Sequence, residues 1–73
     1  MPSPSVDLAT RIERHDGALS VVKVVKETGM GRTKVYQLCR ECRIPHYRFD
    51  DVISFDPFQL AAWIREHRVE VAA

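Results

Sequence analysis

The chain reads as one small, mainly α domain with a small β-hairpin. Three observations predict this class. Gly29-Met30-Gly31 is a tight turn between two stretches whose apolar residues recur at helical spacing. A short aromatic and β-branched segment folds back on itself around Asp50-Asp51. Asp56-Pro57 then opens a further helix with Leu60, Trp63, Ile64 and His67 on one face. Seventy-three residues supply one domain with a limited core, and a hydrophobic content of 45% is ordinary for a folded chain.

Residues 1–18 read as an N-terminal arm. Met1-Pro2-Ser3-Pro4-Ser5 starts it and Asp16-Gly17 ends it as a turn. Between them Val6, Leu8, Ala9 and Ile12 are spaced for one face of a short helix. Leu19-Ser20 begins the next element: Ser20 is a capping residue, and Leu19 is placed to staple against Val24. Val21-Val22-Lys23-Val24-Val25 is β-branched and locally favours a strand. Yet Val21, Val24, Val25 and Thr28 share a helical face, and Gly29 suits the left-handed closure that other residues resist.

Val35, Leu38, Cys39 and Cys42 fall at i, i+3, i+4 and i+7, which predicts a helix with these four facing the core. Its other side carries Thr33, Lys34, Gln37 and Arg40, donors and acceptors of the size that reads base edges or holds phosphates. Ile44-Pro45 ends that helix. His46–Phe49 and Val52–Phe55 are the hairpin strands, and Asp50-Asp51 is a poor two-residue turn because the primed form needs positive φ at both positions. Asp56 caps the last helix, Pro57 takes its first position and Gln59 completes a capping box. Trp63 reads as a core anchor and His67 as a helix-end residue favoured by the dipole. Residues 69–73 are a C-terminal tail.

Net charge is only +1, but its distribution is uneven. Residues 32–48 hold Arg32, Lys34, Arg40, Arg43 and Arg48 against Glu41 alone, and Asp50, Asp51 and Asp56 come next. Charge clustered on one element matters more to a polyanion than the total, which makes these arginines candidates for phosphate-backbone contact. Cys39 and Cys42 form a Cys-x-x-Cys one helical turn apart. A second pair is absent, so a four-thiolate zinc site within one chain is excluded. His46 follows Pro45, and no fourth ligand accompanies it. The pair reads as two small buried hydrophobes in a reducing compartment, and no metal or cofactor is expected.

Nothing suits an enzyme: there is no Ser/His/Asp order and no phosphate loop, and His15, His46 and His67 are scattered. Asp50 and Asp51 are adjacent, and adjacent strand residues point to opposite faces. No apolar run is long enough to span a bilayer, and the N-terminus lacks the charged-then-apolar layout of a signal peptide, so a cytoplasmic location is expected.

Several segments come in a telling order: Leu19-Ser20-Val21; Gly29-Met30-Gly31-Arg32-Thr33-Lys34-Val35-Tyr36-Gln37-Leu38; Ile44-Pro45-His46-Tyr47-Arg48; Ile53-Ser54-Phe55-Asp56; and Leu60-Ala61-Ala62-Trp63-Ile64. Together residues 19–68, about fifty positions, resemble the compact winged helix-turn-helix of the excisionase and MerR-like superfamily. The resemblance implies a DNA-binding domain with the helix after the turn in the major groove and the hairpin as a wing. It implies most directly an excisionase, a recombination directionality factor that binds and bends DNA near attachment sites and promotes excision by an integrase. A chain this short lacks the long dimerisation helix of full MerR regulators, which favours that role. A small prophage-type transcriptional regulator is the alternative, and so is a protein-interaction adaptor that has lost DNA affinity.

By position, Arg32, Thr33, Lys34 and Gln37 match the family's exposed helix front, with Thr33, Lys34 and Gln37 the base readers. Tyr36 and Arg40 match flanking backbone contacts, and Arg48 the basic strand leading into the wing. The chain departs from the pattern at three places. Gly31 stands where a serine cap is usual, Val25 where a small residue is common, and Asp50-Asp51-Val52 where glycine and arginine are. Two carboxylates facing phosphates repel them, so Asp50 and Asp51 are candidate protein contacts. They would meet a basic surface on an integrase, or one near Arg11 and Arg14 of a neighbouring copy. The implied partners are double-stranded DNA, an integrase and further copies loading cooperatively on DNA, with no membrane partner.

Overall fold

A computed structural model describes residues 7–67. Val6, the Pro/Ser start of the arm, Arg68 and the tail at 69–73 lie outside the described residues. Along the chain run α1 (Leu8–Glu13), β1 (Leu19–Ser20), α2 (Val21–Thr28), α3 (Arg32–Arg40), β2 (Tyr47–Phe49), β3 (Val52–Phe55) and α4 (Pro57–Glu66). The described residues therefore form four helices and a three-stranded antiparallel sheet in the order β1-β3-β2, a mixed α and β domain rather than helices with a lone hairpin. No helix among them is long and apolar enough to cross a membrane.

The short helix expected in the arm forms as α1. Asp7 caps it, its carboxylate accepting from the Thr10 N–H at 2.8 Å. Six residues are too few to stay helical alone in water. What holds α1 is burial: Ala9 and Ile12 are enclosed and the helix lies along α4. Arg65 of α4 adds a clamp, with Nη1 2.8 Å from Glu13 Oε2 and Nη2 3.4 Å from Thr10 Oγ1. An exposed pair of this kind contributes little in water, whereas fully burying an isoleucine contributes about 1.5–3 kcal/mol, so packing dominates.

β1 is absent from the periodicity because two residues have no period. A helix cap must be extended, and Ser20 is (φ −85°, ψ 168°), with its Oγ accepting from the Lys23 N–H at 3.2 Å. The same extension lets Leu19 pair with Phe55 and Ser20 with Ser54. The valine run after it is helical despite its local preference, because Val21 and Val24 reach the core. Gly29 closes α2 at φ +77°, its N–H donating to the Val25 carbonyl at 2.9 Å. The Thr28 hydroxyl donates to the Val24 carbonyl (2.7 Å) and accepts from the Met30 N–H (3.2 Å), so it braces the turn into α3. Gly31 is the N-cap of α3 and supplies no side-chain bond.

The stripe expected on α3 ends one residue early. Val35, Leu38 and Cys39 are buried, but Cys42 is exposed and takes φ +55°. Its N–H donates to the Cys39 carbonyl (3.1 Å) and that of Arg43 to the Leu38 carbonyl (2.9 Å). These are the two bonds of a Schellman closure, with cysteine in the left-handed position usually held by glycine. Trp63 fastens the segment beyond this closure, its Nε1–H donating to the Arg43 carbonyl at 2.7 Å. Trp63 is thus half-buried with its polar edge used, rather than a wholly enclosed anchor. The His67 ring packs against it at a tilt (4.1 Å between ring centroids, planes 38° apart) and is exposed at the end of α4.

The hairpin pairs Tyr47 with Ser54, Arg48 with Ile53 and Phe49 with Val52. In its turn Asp50 alone has positive φ (+55°), a conformation aspartate tolerates, so the doubly left-handed form is not used. Asp56 caps α4 by accepting from the Phe58 N–H at 3.2 Å, rather than through a reciprocal box with Gln59. If α1 belongs to the core as its burial implies, Ile12→Ala lowers unfolding free energy by about 2–5 kcal/mol in urea titrations. A change within about 0.5 kcal/mol, the range of ordinary surface positions, would show that α1 is peripheral.

Candidate nucleic-acid interface

Successive residues of a helix are rotated by about 100°, so the buried side of α3 fixes where the rest point. Val35, Leu38 and Cys39 face inward. Thr33, Gln37 and Arg40 therefore stand directly opposite, while Lys34 and Tyr36 flank them on different sides. All five are exposed, as are Arg32, Arg43 and Arg48. The Tyr36 flank looks toward the hairpin. Tyr36, Arg40, Arg48 and Ile53 line a shallow cleft of about 370 Å³ there together with Asp50 and Asp51. The Lys34 flank looks the other way, toward the ends of α1 and α4.

The structure thus brings Tyr36, Arg40 and Arg48 together and separates Lys34 and Arg43 from them. Arg48 lies close enough to α3 for its charge to oppose, in part, the rise that burial imposes on the Cys39 thiol pKa. Asp50 and Asp51 are turn residues, not strand residues, and the expectation that they point apart does not hold: both line the same cleft. Neither is within 4.0 Å of Arg40 or Arg48, so no ion pair neutralises the cleft from inside.

Glu41, read from the sequence only as the lone acid among these bases, is engaged with the helix face itself. It lies one turn after Gln37, whose Nε2 donates to Glu41 Oε2 at 3.2 Å, and Arg43 approaches Oε1 at 3.5 Å. The hydrogen bond from Gln37 is the main reason its carboxyl is held below the usual carboxylate range, with Arg43 adding to it. The i, i+4 spacing of glutamine and glutamate is the available signal. Gln37 is therefore partly engaged within the molecule and must exchange one surface bond to contact anything else.

A second exposed surface is also absent from the sequence expectations. Register puts Tyr47, Phe49, Val52 and Ser54 on the sheet face opposite Phe55. Tyr47 and Phe49 stack at 6.2 Å, and Phe49, Val52 and Phe58 are each at least 60% exposed. No group of three or more His, Cys, Asp or Glu among the described residues is arranged to hold a metal ion.

No family model matches this chain, and no curated protein or solved structure matches it closely enough to show a relationship.

The two thiols differ in access, Cys39 being buried and Cys42 exposed. Iodoacetamide at mildly alkaline pH is expected to modify Cys42 at least roughly tenfold faster than Cys39 in the folded protein, as read by peptide mass mapping. Denaturant removes the difference. Equal rates without denaturant would contradict the burial of Cys39.

Proposed function

We propose that this chain is a small duplex-DNA-binding protein of the winged helix-turn-helix kind, acting as an excisionase that binds and bends DNA to direct an integrase. One observation carries the reading. A short helix held by its inner stripe presents Thr33, Gln37 and Arg40 outward, continuous on one side with Tyr36 and Arg48. Such a helix suits the major groove, where hydroxyl, amide and guanidinium groups read base edges. In this reading Thr33, Lys34 and Gln37 contact bases, and Arg32, Tyr36, Arg40, Arg43 and Arg48 contact the backbone. The free N–H groups at the uncapped start of α3 favour a phosphate nearby.

The hairpin is the wing in this reading, and Asp50 and Asp51 keep its tip from resting on phosphate. They are offered instead to a basic surface on a neighbouring copy or on an integrase. An interaction adaptor is the second reading, and the exposed Tyr47, Phe49, Val52 and Phe58 face favours it, since contiguous apolar surface marks contact sites. A DNA titration separates the two readings.

With about four to six phosphates neutralised, log K for a duplex falls against log salt with a slope of about −4 to −5. Fluorescence anisotropy across a salt series measures it, and a flat response removes electrostatic DNA binding. Within the interface, Gln37→Ala and Lys34→Ala relax discrimination between specific and random duplex by about 1–3 kcal/mol each. Arg40→Ala and Arg48→Ala weaken both duplexes alike, and Glu41→Gln strengthens both by removing a carboxylate beside the face. Equal losses on both duplexes for Gln37→Ala and Lys34→Ala would mean that α3 does not read bases.

A further inference from the structure

We infer that the groove on the Lys34 flank of α3 is a binding site for a small amphipathic anion, an aryl or branched alkyl carboxylate. Three segments far apart in sequence build it: the start of α1, the turn between α2 and α3 with the α3 flank, and the end of α4. Its floor is apolar, made by Leu8, Met30, Leu38, Trp63 and Ile64. Leu38 is nearly enclosed, while the other four are each half-buried and keep a face open to the groove. The volume is about 890 Å³, within the span of sites for ligands of this size.

The rim supplies the sign of the charge. Lys34, Arg43 and Arg65 stand around the floor, with Asp7 the acid at its edge. Arg65 is spoken for by Glu13 at 2.8 Å and Arg43 is held loosely by Glu41 at 3.5 Å. Lys34 has no carboxylate within 4.0 Å among the described residues. Glu41 feels the Lys34 charge only at longer range. An apolar floor beneath an ammonium with no described carboxylate in salt-bridge contact fits a ligand with a hydrophobic body and one carboxylate. The body covers the indole and the Met30 thioether, and the carboxylate meets Lys34 Nζ with Arg43 as a second donor.

Lys34 also belongs to the face proposed to read DNA, so ligand and duplex would draw on the same ammonium. That coupling rests on the DNA reading. The site itself does not, and its test needs no DNA.

Trp63 is the chain's one tryptophan and lines the groove, so its emission reports on the site alone. Phenylbutyrate and phenylbutyramide, equal in body and different in charge, are titrated against the intact protein. The expected result is a saturable change in Trp63 emission with phenylbutyrate, and at least roughly tenfold weaker binding of the amide, the loss that about 1.4 kcal/mol of charge pairing produces. Lys34→Gln, at an exposed position and folded by circular dichroism, removes most of the carboxylate's advantage over the amide and leaves the amide unchanged. Three results would overturn the inference: a change that never saturates, equal affinity for acid and amide, or Trp63 emission that shifts with protein concentration alone. The last would mean that a second copy covers the groove. If the site holds and the DNA titration fails, the site stands as a ligand pocket without the coupling.

Discussion

Everything in this domain depends on the enclosure of Phe55. It is the last residue of β3, it pairs across the sheet with Leu19, and none of its surface meets solvent. Leu19 leads directly into the cap of α2, and the residue after Phe55 is the Asp56 cap of α4. One buried ring therefore sets where two helices begin and where the hairpin is anchored. Ile12, Val24, Val35 and Leu60 close around the same cluster from four different helices. In a chain this short such burial is the main stabilising term, because exposed pairs such as Arg65–Glu13 contribute little in water. The side chains of α3 are held outward for the same reason: its inner stripe is fixed against this cluster, and helical rotation places the others.

Legibility in the sequence tracks the range of the interaction. The caps at Ser20 and Asp56, the left-handed Gly29 and the hairpin register are decided within a few residues, and each is readable. The helical state of Val21–Thr28 is readable only from spacing, since packing overrides the local preference of a valine run. Periodicity misplaces Cys42 because the i+7 position continues the stripe only if the helix continues. Two carbonyls captured by a left-handed cysteine end it instead. β1 is invisible because its existence depends on Phe55, more than thirty residues away. The depth at which α1 enters the core is hidden likewise, since its partner is α4.

The candidate site divides along the same line. That Thr33, Gln37 and Arg40 oppose the core is a one-helix inference that follows from the buried side of α3, whereas Lys34 stands on a flank. That Lys34 and Tyr36 look into different grooves is a tertiary fact, set by α4 on one side and the hairpin on the other. The electrostatic character of the face is also more mixed than a count of bases suggests. Glu41 engages Gln37, and Asp50 and Asp51 share a cleft with Arg40 and Arg48. The field of the cations on and beside α3 is trimmed by these three nearby carboxylates.

In the proposed reading this outward side of α3 contacts duplex DNA. Amide chemical-shift mapping with a short duplex tests it residue by residue. Perturbed amides are expected along Gly31–Arg40 and at Arg48, while the sheet face at Phe49 and Phe58 stays unperturbed. Shifts confined to that aromatic face, or an α3 that does not respond to saturating duplex, would contradict it.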